Sequence, residues 1–285
     1  MPSVGILTDT TAAIPESMVR ELGIRLVPYY VHRGLETLRD MVDIRPDEFV
    51  AYLRQAVNLP TTANPSPGDY LASLQDLART TKQIVALTMT SKGSGAYQSC
   101  KAAVAMLREK MPEVQVEVID TLRVAMSHGW AAIEAARAAL QGAGLPEVAA
   151  RAAEVSRRAM MIQTADTLRY LYMGGRIGRA QHLVGSLLNI KPLIGIDQGS
   201  IVALGAARTR PTAYARMVQI ARKFVGDGAK VRAAFTHVGA PEEAGELRRV
   251  FESVIECVEV ITGSLSPALA VHSGPGTVGV SFFAV

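Results

Sequence analysis

Cysteine is scarce in this chain. Its two cysteines, Cys100 and Cys257, are too few for a disulfide framework and too far apart for a metal knuckle. That argues for a reducing compartment and against a structural zinc site. Aromatic residues make up only 5%, and neither a zinc-finger spacing nor an RNP-type run occurs, which counts against nucleic acid as the partner. No Walker loop is present, His32, His128, His182, His237 and His272 form no His-Glu-x-x-His pattern, and there is no Gly-x-Ser-x-Gly elbow. Residues 260–285 contain no Lys, Arg, Asp or Glu, but Gly263, Pro267, Gly274, Pro275, Gly276 and Gly279 interrupt them. A membrane helix needs about 20 mainly apolar residues, so this stretch reads as buried loop and strand. The start lacks the basic n-region of a secretory leader, and a cytoplasmic protein is expected.

What is present is ordinary for a globular protein: 49% hydrophobic and 20% charged residues, too apolar for disorder. At 285 residues the chain is long enough to divide into two domains. The formal net charge of +4 is unevenly spread, because residues 167–223 carry nine basic side chains and one acid, Asp197. Such a segment can steer anions or an acidic partner, or it can be a set of solvated helix faces.

Short apolar runs alternate with helical patterns through the first half. Strands are predicted at 4–7, 24–31, 84–89 and 114–119, with helices at 15–22, 46–57, 67–80, 97–110, 127–141 and 145–159. Alternation of this kind implies a mostly parallel sheet covered on both faces, with ligands beyond the carboxyl ends of the strands. The second half is expected to be α+β, with a hairpin of 192–196 and 201–206 around Asp197-Gln198-Gly199. Helices are predicted there at 166–172, 182–189, 212–224 and 241–254, and strands at 231–237, 258–262 and 277–283. The fold class is therefore α/β, with domains at 1–158 and 159–285, part of 60–80 being available to pack with the second.

Four turns could carry chemistry. Ser91-Lys92-Gly93-Ser94-Gly95-Ala96-Tyr97-Gln98 lies between a predicted strand and helix, where glycines permit close approach and helix N–H groups attract anions. Gln98 stands where a dinucleotide loop has its third glycine, and Ser94 as a plain N-cap is the simpler alternative. Pro60-Thr61-Thr62-Ala63-Asn64-Pro65-Ser66-Pro67-Gly68-Asp69 puts two hydroxyls on a stiff segment before a well-capped helix start. His272-Ser273-Gly274-Pro275-Gly276 is a polar turn in uncharged surroundings, its histidine either a core residue or a ligand contact. Tyr172-Met173-Gly174-Gly175-Arg176-Ile177-Gly178-Arg179 ends one helix and sets two arginines beside the next.

With Thr8-Asp9-Thr10-Thr11 and Lys191-Pro192, these blocks, in this order along nearly the whole chain, resemble the DegV family. The chain has Ala96 where that family usually has threonine and Thr121 where it usually has serine. The resemblance implies a protein that binds a long-chain fatty acid in a buried tunnel between a Rossmann-like N-terminal domain and an α/β C-terminal domain. It would need no cofactor, would not itself be an enzyme, and would serve as the non-catalytic subunit of a fatty acid kinase system in phospholipid metabolism. It implies that Thr62 and Ser94 hold the carboxylate, with Thr61, Gly95 and His272 nearby, and that Arg176, Arg179 and Arg208 form a rim facing an ATP-dependent kinase partner. Transient contact with a membrane surface follows from the need to collect the acyl chain. Candidate tunnel walls are Ile162, Leu168, Leu187, Leu188, Ile190, Leu193, Ile194 and Leu265, each of which could equally be ordinary core. The alternatives are a small-molecule phosphotransferase using the Gly93–Gly95 turn as its phosphate site, and a nucleic-acid regulator using the basic segment.

Overall fold

The structure, a computed structural model, describes residues 3–181 and 190–285. The predicted helix at 182–189, with His182 and the candidate wall residues Leu187 and Leu188, lies outside the described residues. In chain order the elements begin β1 (Val4–Asp9), α1 (Glu16–Glu21), β2 (Arg25–Val27), β3 (Tyr30–Arg33), β4 (Glu36–Arg39), α2 (Pro46–Gln55), β5 (Thr61–Ala63) and α3 (Pro67–Leu77). Then come β6 (Gln83–Thr88), α4 (Ala96–Lys110), β7 (Gln115–Asp120), α5 (Met126–Leu140), α6 (Leu145–Arg158), β8 (Met160–Thr164) and α7 (Arg169–Met173). The remainder is β9 (Lys191–Asp197), β10 (Ser200–Ala207), α8 (Arg210–Val225), β11 (Lys230–His237), α9 (Pro241–Glu252), β12 (Glu256–Ser264), α10 (Pro267–Ser273) and β13 (Val278–Ala284).

These elements form two compact units, one of residues 1–30 and 62–158 and the other of 31–61 and 159–285. Residues 31–61 cluster with the second unit, and α3 with the first. The reason is local packing: α2 lies against α10, and Arg54 Nη2 donates to the Gly239 carbonyl at 2.9 Å.

The first unit is a four-stranded parallel sheet in the order β2-β1-β6-β7. Every residue of β1 is buried, as befits a central strand covered on both faces. The strand expected over 24–31 is two strands, β2 and β3, separated by Pro28, which has no N–H to give a ladder. Ser66 caps α3 in a full capping box with Asp69, with Pro67 in the first turn, as the spacing predicts. α5 is buried along most of its length and packs on β1 and α6. It approaches so closely that a Cβ at Gly129 would lie 2.4 Å from the Ala12 carbonyl oxygen.

The second unit has a six-stranded mixed sheet in the order β10-β9-β8-β13-β11-β12. β9 and β10 form the expected hairpin, with Gln198 and Gly199 both at positive φ, the conformation that matches strand twist in a tight turn. α8 and α9 pack on this sheet over a core that includes Tyr214, Met217, Leu247, Phe235, Phe251 and Phe282. Phe251 sits 5.5 Å from both other phenylalanine rings. A smaller cluster gathers Leu168, Leu171, Ile177, Ala180 and Ile194. The loop expected before β13 is in part a helix, α10. Pro267 breaks a helix interior but is tolerated in the first turn, where its missing N–H costs nothing, and that is where it stands.

Candidate functional site

The carboxyl ends of β1, β6 and β7 bring three turns to one end of the parallel sheet. After β1, Asp9 is fully buried and caps the turn Thr10–Ala12 by accepting from the Thr11 N–H at 3.0 Å; the Thr11 hydroxyl also donates to it. Its second oxygen accepts from the Met89 N–H, in the turn after β6, at 3.3 Å. Burial pushes the Asp9 carboxyl up to about 6, against the opposing pull of these donors.

His128, at the start of α5, is fully buried beside it. Thr121 Oγ1 spends its proton on the Thr88 carbonyl at 2.9 Å, so the 3.1 Å contact with His128 Nδ1 has the imidazole N–H donating to that oxygen. His128 Nε2 then accepts the Thr8 hydroxyl proton at 2.8 Å. Burial drives the His128 pKa down to about 3, partly offset by Asp120, which keeps the ring neutral. The 4.0 Å approach of Asp9 Oδ2 to Nε2 is therefore not an ion pair at neutral pH. Thr121 fills the network position that the resemblance marks as serine, supplying the same hydroxyl.

Ser94 lies in the turn between β6 and α4 and is partly buried. Its Oγ accepts from the Ala96 N–H at 3.2 Å and lies 2.7 Å from the Tyr29 hydroxyl. It thus acts at the start of α4, although Gly95 is the capping residue. A Cβ at Gly95 would lie 2.9 Å from Asn64 Oδ1, so the glycine is there for close approach, its φ of −76° being ordinary. Asn64 donates to the Pro65 carbonyl at 2.8 Å and to Ser99 Oγ on α4 at 3.0 Å. These contacts bring the segment of Thr62, half-buried in β5, beside the Ser94–Gly95 turn within the first unit. Thr61 is exposed and falls in the second unit.

Sequence reasoning missed Tyr29, which is 5% exposed and whose backbone N–H is held by Thr10 Oγ1 at 3.1 Å. It also missed Tyr70, whose hydroxyl is buried with no hydrogen-bond partner among the described residues. Burial, reinforced by Asp9 and Tyr29, holds the Tyr70 phenol well above its usual value. Periodicity marks such tyrosines only as core.

In the second unit His272 lies in the last turn of α10, against the end of α7. A Cβ at Gly174 would fall 2.3 Å from His272 Nδ1, and one at Gly274 would fall 2.2 Å from the Tyr170 ring. The Gly-Gly-Arg-Ile and His-Ser-Gly-Pro-Gly blocks are thus packed together, with the glycines making room. Arg176 Nη1 donates to the Gly174 carbonyl at 2.7 Å. Burial first, and then the Arg176 charge, lower the His272 pKa to about 4, so the imidazole is neutral at physiological pH.

The basic segment is partly neutralised. Arg179 pairs with Asp197 at 2.6 Å, and Arg222 with Asp227 at 2.6 Å. Arg208 is exposed just after β10. Asp166, just before the segment, accepts from both Lys191 at 2.6 Å and Arg210 at 2.8 Å. Arg210 reaches on to the Gly276 carbonyl at 2.5 Å, so Asp166 and Arg210 link Lys191 to the Gly-Pro-Gly turn.

Of the candidate wall residues, Ile162 and Leu193 lie in the main core of the second unit. Leu168 and Ile194 belong to the smaller cluster, Leu265 is buried, and Ile190 is half-buried. Among the described residues there is no group of His, Cys, Asp and Glu able to hold a metal ion, and no helix long and apolar enough to cross a membrane.

Comparison with known proteins covers this whole arrangement. The family model described as "Uncharacterised protein, DegV family" matches residues 3–285. A DegV domain-containing protein of Caldanaerobacter subterraneus subsp. tengcongensis is 30% identical over 282 residues, 99% of each chain. A DegV family protein from Thermus thermophilus, whose structure is described by its fatty acid binding, superposes with a TM-score of 0.93 at 29% identity over 100% of both chains. A DegV lipid binding protein from Thermotoga maritima gives 0.89 at 26% identity over 99% of each. Sequence and fold agree from end to end, and the chain belongs to the DegV family.

Proposed function

We propose that this protein binds a long-chain fatty acid, with Ser94 and Thr62 receiving the carboxylate, and that it hands the bound acid to a separate ATP-dependent kinase for conversion to an acyl phosphate. The observation that carries the reading is the hydroxyl arrangement at the start of α4. Ser94 Oγ sits among donors at the N-terminal end of a helix of 15 residues, beside the segment that bears Thr62. A carboxylate withdrawn from water must be hydrogen-bonded, and hydroxyls and helix N–H groups supply that without a buried cation. The names of the Thermus and Thermotoga relatives, fatty acid binding and lipid binding, support the same ligand class.

Each methylene of the acyl chain gains about 0.8 kcal/mol on leaving water, so a long chain supplies most of the affinity and the head group supplies selection. Thr61, Gly95 and His272 complete the proposed ligand-contacting set. In the proposed scheme Arg176, Arg179 and Arg208 face the kinase and the acyl phosphate. The protein itself performs no bond-breaking step, needs no cofactor, and collects its ligand by brief contact with a membrane surface.

Native mass spectrometry of the protein as purified tests this directly. A co-purifying long-chain fatty acid, largely lost from Ser94→Ala, is the expected result. An apo protein that takes up no added fatty acid would refute the reading, and intrinsic ATP turnover by the isolated chain would point to the phosphotransferase instead.

A further inference from the structure

Tyr29 has no part in the site as the sequence describes it, yet its hydroxyl lies 2.7 Å from Ser94 Oγ. A serine oxygen has one proton to give and two lone pairs to receive. The Ala96 N–H already donates into Ser94 Oγ at 3.2 Å. If the Tyr29 O–H donates as well, both lone pairs are occupied and the serine proton is the only hydrogen-bonding capacity left. The tyrosine is well fixed for this role. It is 5% exposed, and its backbone N–H is tied at 3.1 Å to Thr10 Oγ1 in the turn that Asp9 caps.

We infer that Tyr29 is a positioning residue that makes Ser94 a pure donor toward the ligand, so that the site selects an acyl head group able only to accept, a carboxylate, over one that also donates, such as a fatty alcohol. The inference rests on the head-group reading above and adds a selectivity determinant to it. A carboxylate has only lone pairs to offer and suits a donor-only serine. An alcohol must place its own proton somewhere, and Ser94 Oγ with both lone pairs filled cannot take it. Without the Tyr29 hydroxyl, one lone pair of Ser94 reopens and the alcohol gains an acceptor. Loss of that hydroxyl should therefore weaken acid binding and relax discrimination together, which simple loosening of the core would not do.

The test is competition between hexadecanoic acid and hexadecan-1-ol for the delipidated protein, read by native mass spectrometry, with the melting temperature followed in parallel. Phenylalanine keeps the ring and its packing, so Tyr29→Phe should fold. It should lower the acid-to-alcohol occupancy ratio by about fivefold, the size of effect one hydrogen bond carries. In a Ser94→Ala background the same change should leave the ratio within twofold, because the two residues act as one unit. An unchanged ratio in Tyr29→Phe, or an equal drop with and without Ser94, would overturn the inference while leaving fatty acid binding standing. Wild-type protein that binds neither ligand would instead remove the head-group reading itself.

Discussion

Gly174 and His272 are packed so tightly that a methyl group on the glycine would fall 2.3 Å from the imidazole Nδ1. The glycine has a right-handed φ of −76°, so its role is one of space, not of backbone freedom. Gly174→Ala must displace His272 or α7, and overpacking of this kind typically costs about 1–3 kcal/mol. Chemical denaturation should show that loss, and ligand retention should fall if His272 lies at the head group. Unchanged stability would mean that the two blocks separate freely.

Asp40 is buried and accepts the Ala268 N–H at 3.0 Å, capping α10 from a residue far earlier in the chain. Ser266, the adjacent capping residue, makes no such bond, its hydroxyl being buried without a partner among the described residues. Asp40→Ala should therefore destabilise by about 1–2 kcal/mol, a typical cost for a lost cap. Asp40→Asn retains an acceptor oxygen and should recover a good part of it. Urea titration of both variants checks the order.

The buried pair Asp9 and His128 gives acid stability two opposing slopes. Asp9 titrates near 3.8 when unfolded and at about 6 in the fold, so folding takes up a proton between those values. Its contribution is fully present below 3.8 and gone above about 6, and amounts to about 3 kcal/mol. His128 runs the other way. Its pKa is 6.5 unfolded and about 3 folded, so stability is lost as pH falls through that window. Asp9→Asn removes the offset and should lose stability more steeply than wild type between pH 6 and 4, roughly by the Asp9 contribution. Parallel acid limbs in urea midpoints would contradict this.

Arg176 touches His272 electrostatically and holds the Gly174 carbonyl, but lies outside the proposed head-group contacts. Arg176→Ala should keep fatty acid occupancy within about twofold, while lowering phosphorylation of the bound acid by an ATP-dependent kinase partner about tenfold or more. Equal losses in both assays would mean that the arginine serves the ligand and not the partner.

Local signals carried most of the fold. The capping box at Ser66, the Gln198-Gly199 turn and the apolar runs of β1 and β6 each depend on neighbours within a few residues, and each is where its pattern places it. α10 was hidden because Pro267 reads as a breaker unless its position in the first turn is known. Of the candidate site, Ser94 and Thr62 stood out through turn chemistry, whereas Tyr29 did not, nor, elsewhere in the fold, did Asp40 as the cap of α10. Their partners lie 65 and 228 positions away, and no period in the sequence encodes a contact of that span.

The interleaving of the two units sets a limit on dissecting the molecule. Residues 31–61 are synthesised long before the rest of the unit they complete, and the ribosome must finish the first unit around them. A fragment beginning at Ala159 would lack the carboxylate that caps α10 and the α2 face that packs on it. A fragment ending at Arg158 would carry that face with nothing to cover it. The protein is therefore divisible for protein engineering only by excising 31–61 and grafting it onto the second half; neither a single cut nor a circular permutation separates units that alternate twice along the chain.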